Sequence, residues 1–116
     1  MYSMPLRDDR GELPLYTDVR MDYDAGVPVW SGGEPVLVSG LEAVKGWAWR
    51  AVDTARYRFS HFSWSYGCEP ERYVTEALLV SPYIREARVR DKRFEGSTLH
   101  MQVELSTVYG KETIYV

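Results

Sequence analysis

The sequence predicts an α+β fold, with an N-terminal β-hairpin and two helices packed on a C-terminal antiparallel β-sheet. Three observations carry this. Leu99, Met101, Val103 and Leu105 alternate with His100, Gln102, Glu104 and Ser106, the period of a strand with one wet face. Leu41, Val44, Trp47, Ala48, Ala51, Val52 and Ala55 recur at helical spacing. The helical signals come before a run of strands, the order expected of segregated α+β layers.

Residues 1–20 are polar and broken by Pro5, Gly11 and Pro14, which predicts an extended arm lying on something else. Residues 21–116 are then a single domain, in keeping with a chain of 116 residues. Between 21 and 38, Val27 and Val29 lead into Ser31-Gly32-Gly33, and Val36 and Val38 follow, a hairpin signal. Ser39-Gly40-Leu41-Glu42 reads as a capping box opening the first helix. Trp49 lies off the apolar stripe of that helix, so it is either a partner contact or covered by a neighbouring loop. Residues 57–64 read as extended, and Tyr66-Gly67 ends them. A second helix starts near Pro70, turns Tyr73, Val74, Ala77 and Leu78 inward, and stops at Pro82. Ala87 and Val89 then alternate with charge, Glu95-Gly96 turns the chain, and Gly110-Lys111 turns it again before a strand over 113–116.

The formal charge is −3, which is no footprint for nucleic acid. The densest basic stretch, Arg85, Arg88, Arg90, Lys92 and Arg93, is interleaved with Glu86, Asp91 and Glu95 and reads as a solvated strand face or a partner contact. The single cysteine, Cys68, forms no internal disulfide and fits a reducing cytoplasm. No signal peptide and no membrane span are expected. His61 and His100 lack neighbours at metal-ligand spacing, and no phosphate-binding glycine loop occurs, so neither metal nor cofactor is expected. Glu69 and Glu71 flank Pro70, where the helix dipole accounts for them without a catalytic carboxylate pair.

Three segments carry a family resemblance. They are Gly40-Leu41-Glu42-Ala43-Val44-Lys45-Gly46-Trp47 with Tyr66-Gly67; Glu76-Ala77-Leu78-Leu79-Val80-Ser81-Pro82-Tyr83-Ile84; and Leu99-His100-Met101-Gln102-Val103 through Thr107-Val108-Tyr109-Gly110. In this order they resemble the XkdS-like proteins of myophages, defective prophages and tailocins, over about Val36 to Gly110. That family looks like a branch of the baseplate wedge proteins that initiate sheath assembly, which also includes the lysozyme-like baseplate component of type VI secretion.

The resemblance implies a non-enzymatic structural role. The chain is expected in a virion or tailocin particle, assembled in the bacterial cytoplasm and present in multiple copies in a symmetric baseplate. Implied partners are other wedge subunits, the first-ring sheath protein, and tail tube or hub proteins. The alternative from the family's older label is a tail-associated muramidase.

The wider family has an acidic-Pro-Arg tripeptide after its second helix. Here that position reads Ser81-Pro82-Tyr83, with Arg85 shortly after, which makes an aromatic contact by Tyr83 the expected variant. Relatives also have a longer polar stretch before the second helix, so a segment missing between Glu69 and Pro70 is considered. Thr113, Ile114, Tyr115 and Val116 are expected to form an open edge strand that pairs with a sheath or sheath-like subunit, with Ile114 and Val116 on one face; the alternative is that the strand only closes the chain's own sheet.

Overall fold

The computed structural model describes residues 13–61, 70–96 and 98–116. Residues 1–12 of the expected arm, the Tyr66-Gly67 end, Cys68 and the Glu69 side of the junction with Pro70 lie outside the described residues. The elements run β1 (Thr17–Val19), β2 (Met21–Asp22), β3 (Val27–Pro28), β4 (Trp30–Ser31), β5 (Glu34–Pro35), β6 (Leu37–Ser39), α1 (Leu41–His61), α2 (Pro70–Leu79), β7 (Ile84–Glu95), β8 (Thr98–Thr107) and β9 (Gly110–Tyr115).

The strands β7, β8 and β9 form an antiparallel meander in that spatial order. On β8 the alternation holds: Leu99, Met101, Val103 and Leu105 are buried and their neighbours half-buried. Helix α2 lies along β7, and α1 lies along β8 and β9. Their side chains meet the sheet in one core, which joins Val44, Ala48 and Val52 of α1 to Val74 and Leu78 of α2 and to Ile84, Val103 and Ile114 of the strands. The last turn falls earlier than expected. Thr107 opposes Gly110, so Val108 and Tyr109 make the bend. The Thr107 hydroxyl donates to the Gly110 carbonyl at 2.7 Å and accepts the Tyr109 N–H at 3.0 Å, fixing it there.

The predicted hairpin forms in β4 and β5, where Gly32 and Gly33 take φ of 60° and 81°. Two successive positive φ values give the turn whose twist suits a two-residue hairpin. The arm differs from expectation over residues 13–20. Thr17–Val19 pairs antiparallel with Leu37–Ser39, and Leu13, Tyr16 and Val19 pack against the core. This stretch is therefore a layer of the domain and lies on its own chain.

Helix α1 sits between that layer and the sheet, and this corrects three expectations. Its buried side is wider than one stripe, because Ala43 and Trp49 are covered as well as Val44, Ala48, Val52 and Ala55. The capping box does not form: the Ser39 hydroxyl meets that of Thr17 at 2.9 Å, and the Glu42 carboxylate accepts from Arg20 at 3.1 Å. Pairing of β1 with β6 sets Thr17 directly opposite Ser39. The helix also continues through 57–61, where an extended segment was expected. No Gly, Pro or β-branched residue interrupts it there, and extending a formed helix is cheap. Gly46 marks the close approach of α1 to the N-terminal layer, since a Cβ there would lie 3.3 Å from Met21 Cγ.

Candidate functional site

The residues expected to face a partner divide into three groups. The first surrounds Tyr83. Ser81, Pro82 and Tyr83 are all buried, Tyr83 to 2% exposure. The chain leaves α2 through a tight bend, in which the Ser81 N–H donates to the Leu78 carbonyl and the Ile84 N–H donates to the Ser81 carbonyl. The Ser81 hydroxyl accepts the Tyr83 N–H at 3.2 Å. The Tyr83 ring stacks on Tyr109 at 6.1 Å and tilts against Tyr16 at 4.9 Å. Its hydroxyl donates to the Pro14 carbonyl at 2.7 Å. The expectation was a contact with a partner, whereas these contacts are internal: Tyr83 anchors residues 13–16 to the start of the sheet. Arg85 alone of this group is exposed, at a bulge between Ile84 and Glu86, with no ion-pair partner among the described residues.

The second group is Trp49. It is 7% exposed, so the covering-loop alternative holds and the partner contact does not. Tyr23 meets it edge-on at 5.8 Å, and the turn at Gly26 closes over it. Lys45, one helical turn before Trp49, lies over the Tyr23 ring at 5.2 Å. Burial, then the Glu42 and Glu112 carboxylates, raises the Tyr23 pKa, so the phenol stays neutral.

The third group is the C-terminal strand. Ile114 is buried and Tyr115 is 68% exposed, which places them on opposite faces as expected. The strand is an edge of the sheet, and two of its outward backbone groups are occupied. Val116 exchanges both backbone bonds with Met101, so residues 110, 112 and 114 also turn toward β8, and 111, 113 and 115 turn away. The Thr113 N–H donates to Glu112 Oε1 at 3.0 Å, and the Trp49 indole N–H donates to the Tyr115 carbonyl at 3.1 Å. Lys45 holds the same Glu112 oxygen at 3.8 Å. The expected open edge is therefore capped at two points on the side facing α1.

The opposite edge, β7, was read as a strand but not as an edge. It carries Arg85, Arg88, Arg90, Lys92 and Arg93, and its register shifts at Arg85 and Arg90. Lys92 pairs with Glu71 of α2 at 2.8 Å. That hydrogen bond is the main reason the Glu71 carboxyl lies below its ordinary pKa. The sheet face away from the helices carries aligned rows, Arg88-Glu104-Thr113 and Glu86-Ser106-Lys111, which line an open groove of ≈ 480 Å³. His100 is on this face and bonds Glu95 at 3.2 Å.

Large apolar side chains stand exposed elsewhere. Trp30 and Leu37 are each 62% exposed, and Leu15, Val27 and Val80 are exposed too. A Trp two residues before the Gly32-Gly33 hairpin turn was the available signal for the first of these. Among the described residues, no group of three or more His, Cys, Asp or Glu is placed to hold a metal, and no helix is long and apolar enough to cross a membrane. No family model matches the chain, and no curated protein matches it.

Proposed function

We propose that the chain is a structural subunit of a contractile phage-tail or tailocin baseplate, joining the inner wedge to the first sheath ring and templating sheath assembly. One observation carries the reading: the described parts of the three resembling segments, far apart in sequence, meet in a single core. Val44 comes from the first, Leu78 and Ile84 from the second, and Leu99, Met101, Val103 and Leu105 from the third. A set of residues shared for a common fold has this distribution. A set shared for a catalytic site would converge on a cleft instead.

In this reading the chain works in multiple copies, with wedge subunits, the first-ring sheath protein and tube or hub proteins as partners. The exposed hairpin tip at Trp30 and the arginine-bearing β7 are its available contact surfaces. The role is not enzymatic and calls for no cofactor. The muramidase alternative needs a carboxyl held protonated as a general acid. Glu71, one of the two carboxylates flanking Pro70, is shifted the opposite way by Lys92.

Deleting the gene in a strain that produces the particles tests the proposal. Electron microscopy should then show tubes or baseplates without polymerised sheath. Sheathed, contractile particles in the deletion strain overturn it, and clearing of cell walls by the purified chain favours the muramidase.

A further inference from the structure

We infer that the β9 edge is a self-pairing surface kept shut by α1, with the Trp49 indole and the Glu112 carboxylate as the two closures. A bare strand edge offers alternating N–H and C=O groups to any extended chain, a second copy of the same strand included. On β9 those groups belong to 111, 113 and 115. Of these six groups two are capped: the donor at Thr113 is taken by Glu112, and the acceptor at Tyr115 is taken by Trp49. Both closures come from the α1 side: Trp49 is on the helix, and Glu112 is drawn toward it by Lys45.

The sequence of β9 suits self-pairing once it is opened. In an antiparallel pair centred on Thr113, Thr113 faces its own copy, and Lys111 faces Tyr115 of the partner subunit across the wet face. No like charges oppose each other there, and a cation beside an aromatic ring is favourable. On the other face, Glu112 comes opposite Ile114 of the partner subunit. The carboxylate would have to leave both its Lys45 contact and the Thr113 N–H to let that pair form. Glu112 thus closes the edge twice, by capping a donor and by setting a charge against an apolar side chain. The partner is a second copy of this chain, and the closure acts whether or not the chain belongs to a baseplate.

Sedimentation equilibrium of the purified chain and four variants tests this. Glu112→Ala removes the cap on Thr113 at a half-buried position. Trp49→Phe keeps a ring and removes the indole donor. Each should tighten self-association by about tenfold or more, since each copy in a pair loses a capping bond that the new strand replaces. Thr113→Pro deletes the one outward N–H at the centre of the pair. Added to Glu112→Ala, it should reverse the gain. Added to the wild-type chain, it should leave association unchanged, because the Thr113 N–H is already capped. Equal association of wild type and Glu112→Ala overturns the inference, whatever the fate of the Trp49 variant. So does a gain that survives Thr113→Pro.

Discussion

Removing only the hydroxyl of Tyr83 separates an internal anchor from a partner contact. In Tyr83→Phe the ring keeps its place between Tyr16 and Tyr109, and the 2.7 Å bond to the Pro14 carbonyl is lost. A typical hydrogen bond contributes about 0.5–1.5 kcal/mol net, and a buried partner left unpaired costs about 1–3 kcal/mol. The bond is part-buried, between a buried Tyr83 and an exposed Pro14, so the lower range applies, about 1 kcal/mol. For a domain of this size that lowers the melting temperature by about 4 °C. Tyr83→Ala removes a side chain that is 2% exposed and should cost about 3–5 kcal/mol. Circular dichroism melts measure both, and limited proteolysis should cut the Phe variant faster around residues 13–16. A Phe variant that melts within about 1 °C of wild type, with unchanged proteolysis, refutes the anchor. Tyr83 would then have to act outside its own chain.

Three further outcomes follow from the same contacts. Trp49→Ala should destabilise the fold by about 3–5 kcal/mol in chemical denaturation, because the side chain is core in this structure. Ser39→Ala should cost less than about 0.5 kcal/mol in the same assay, where loss of a working N-cap costs about 1 kcal/mol, since its hydroxyl faces Thr17. Lys92→Ala should matter at neutral pH and not in acid. The folded pKa of Glu71 is depressed below its ordinary value, so its pairing stabilises above the unfolded pKa and is lost as pH falls through the folded one. Both partners are more than a third exposed, so the gap between denaturation midpoints should not exceed about 0.5 kcal/mol.

The parts legible in the sequence are those where one face is wet and the other dry. On β8 every second residue is apolar because the strand is central and only one side meets helices. For α2, Pro70 and Pro82 bracket the pattern, and Val74 and Leu78 are buried as the spacing requires, while Tyr73 is 38% exposed. Helix α1 was misread for the converse reason. A single stripe assumes one buried face, but α1 is covered on two sides, so Trp49 looked external when it was filling the second interface. The end of α1 was misplaced because Tyr, Phe, Ser and His at 57–61 suit a strand as well as a helix, and only continuation from the preceding turns decides between them.

The contact residues were harder to read because what decides them is distant in sequence. Tyr83 and its Pro14 acceptor are separated by 69 positions, and Trp49 and its Tyr115 acceptor by 66. Neither pairing leaves a local trace. Both aromatics have the profile of an interface anchor: large, amphipathic, and off the obvious core pattern. In a thin domain built from stacked layers, the junctions between layers present the same physical problem as an interface between proteins, and the same residues answer it. Tyr83 joins residues 13–16 to the sheet, and Trp49 joins the turn at Gly26 to α1 and β9. An aromatic outside the main stripe therefore identifies a seam, whichever chain lies on its far side. Only the residue's exposure decides that, and on this measure Trp30 at 62% remains outward while Trp49 at 7% does not.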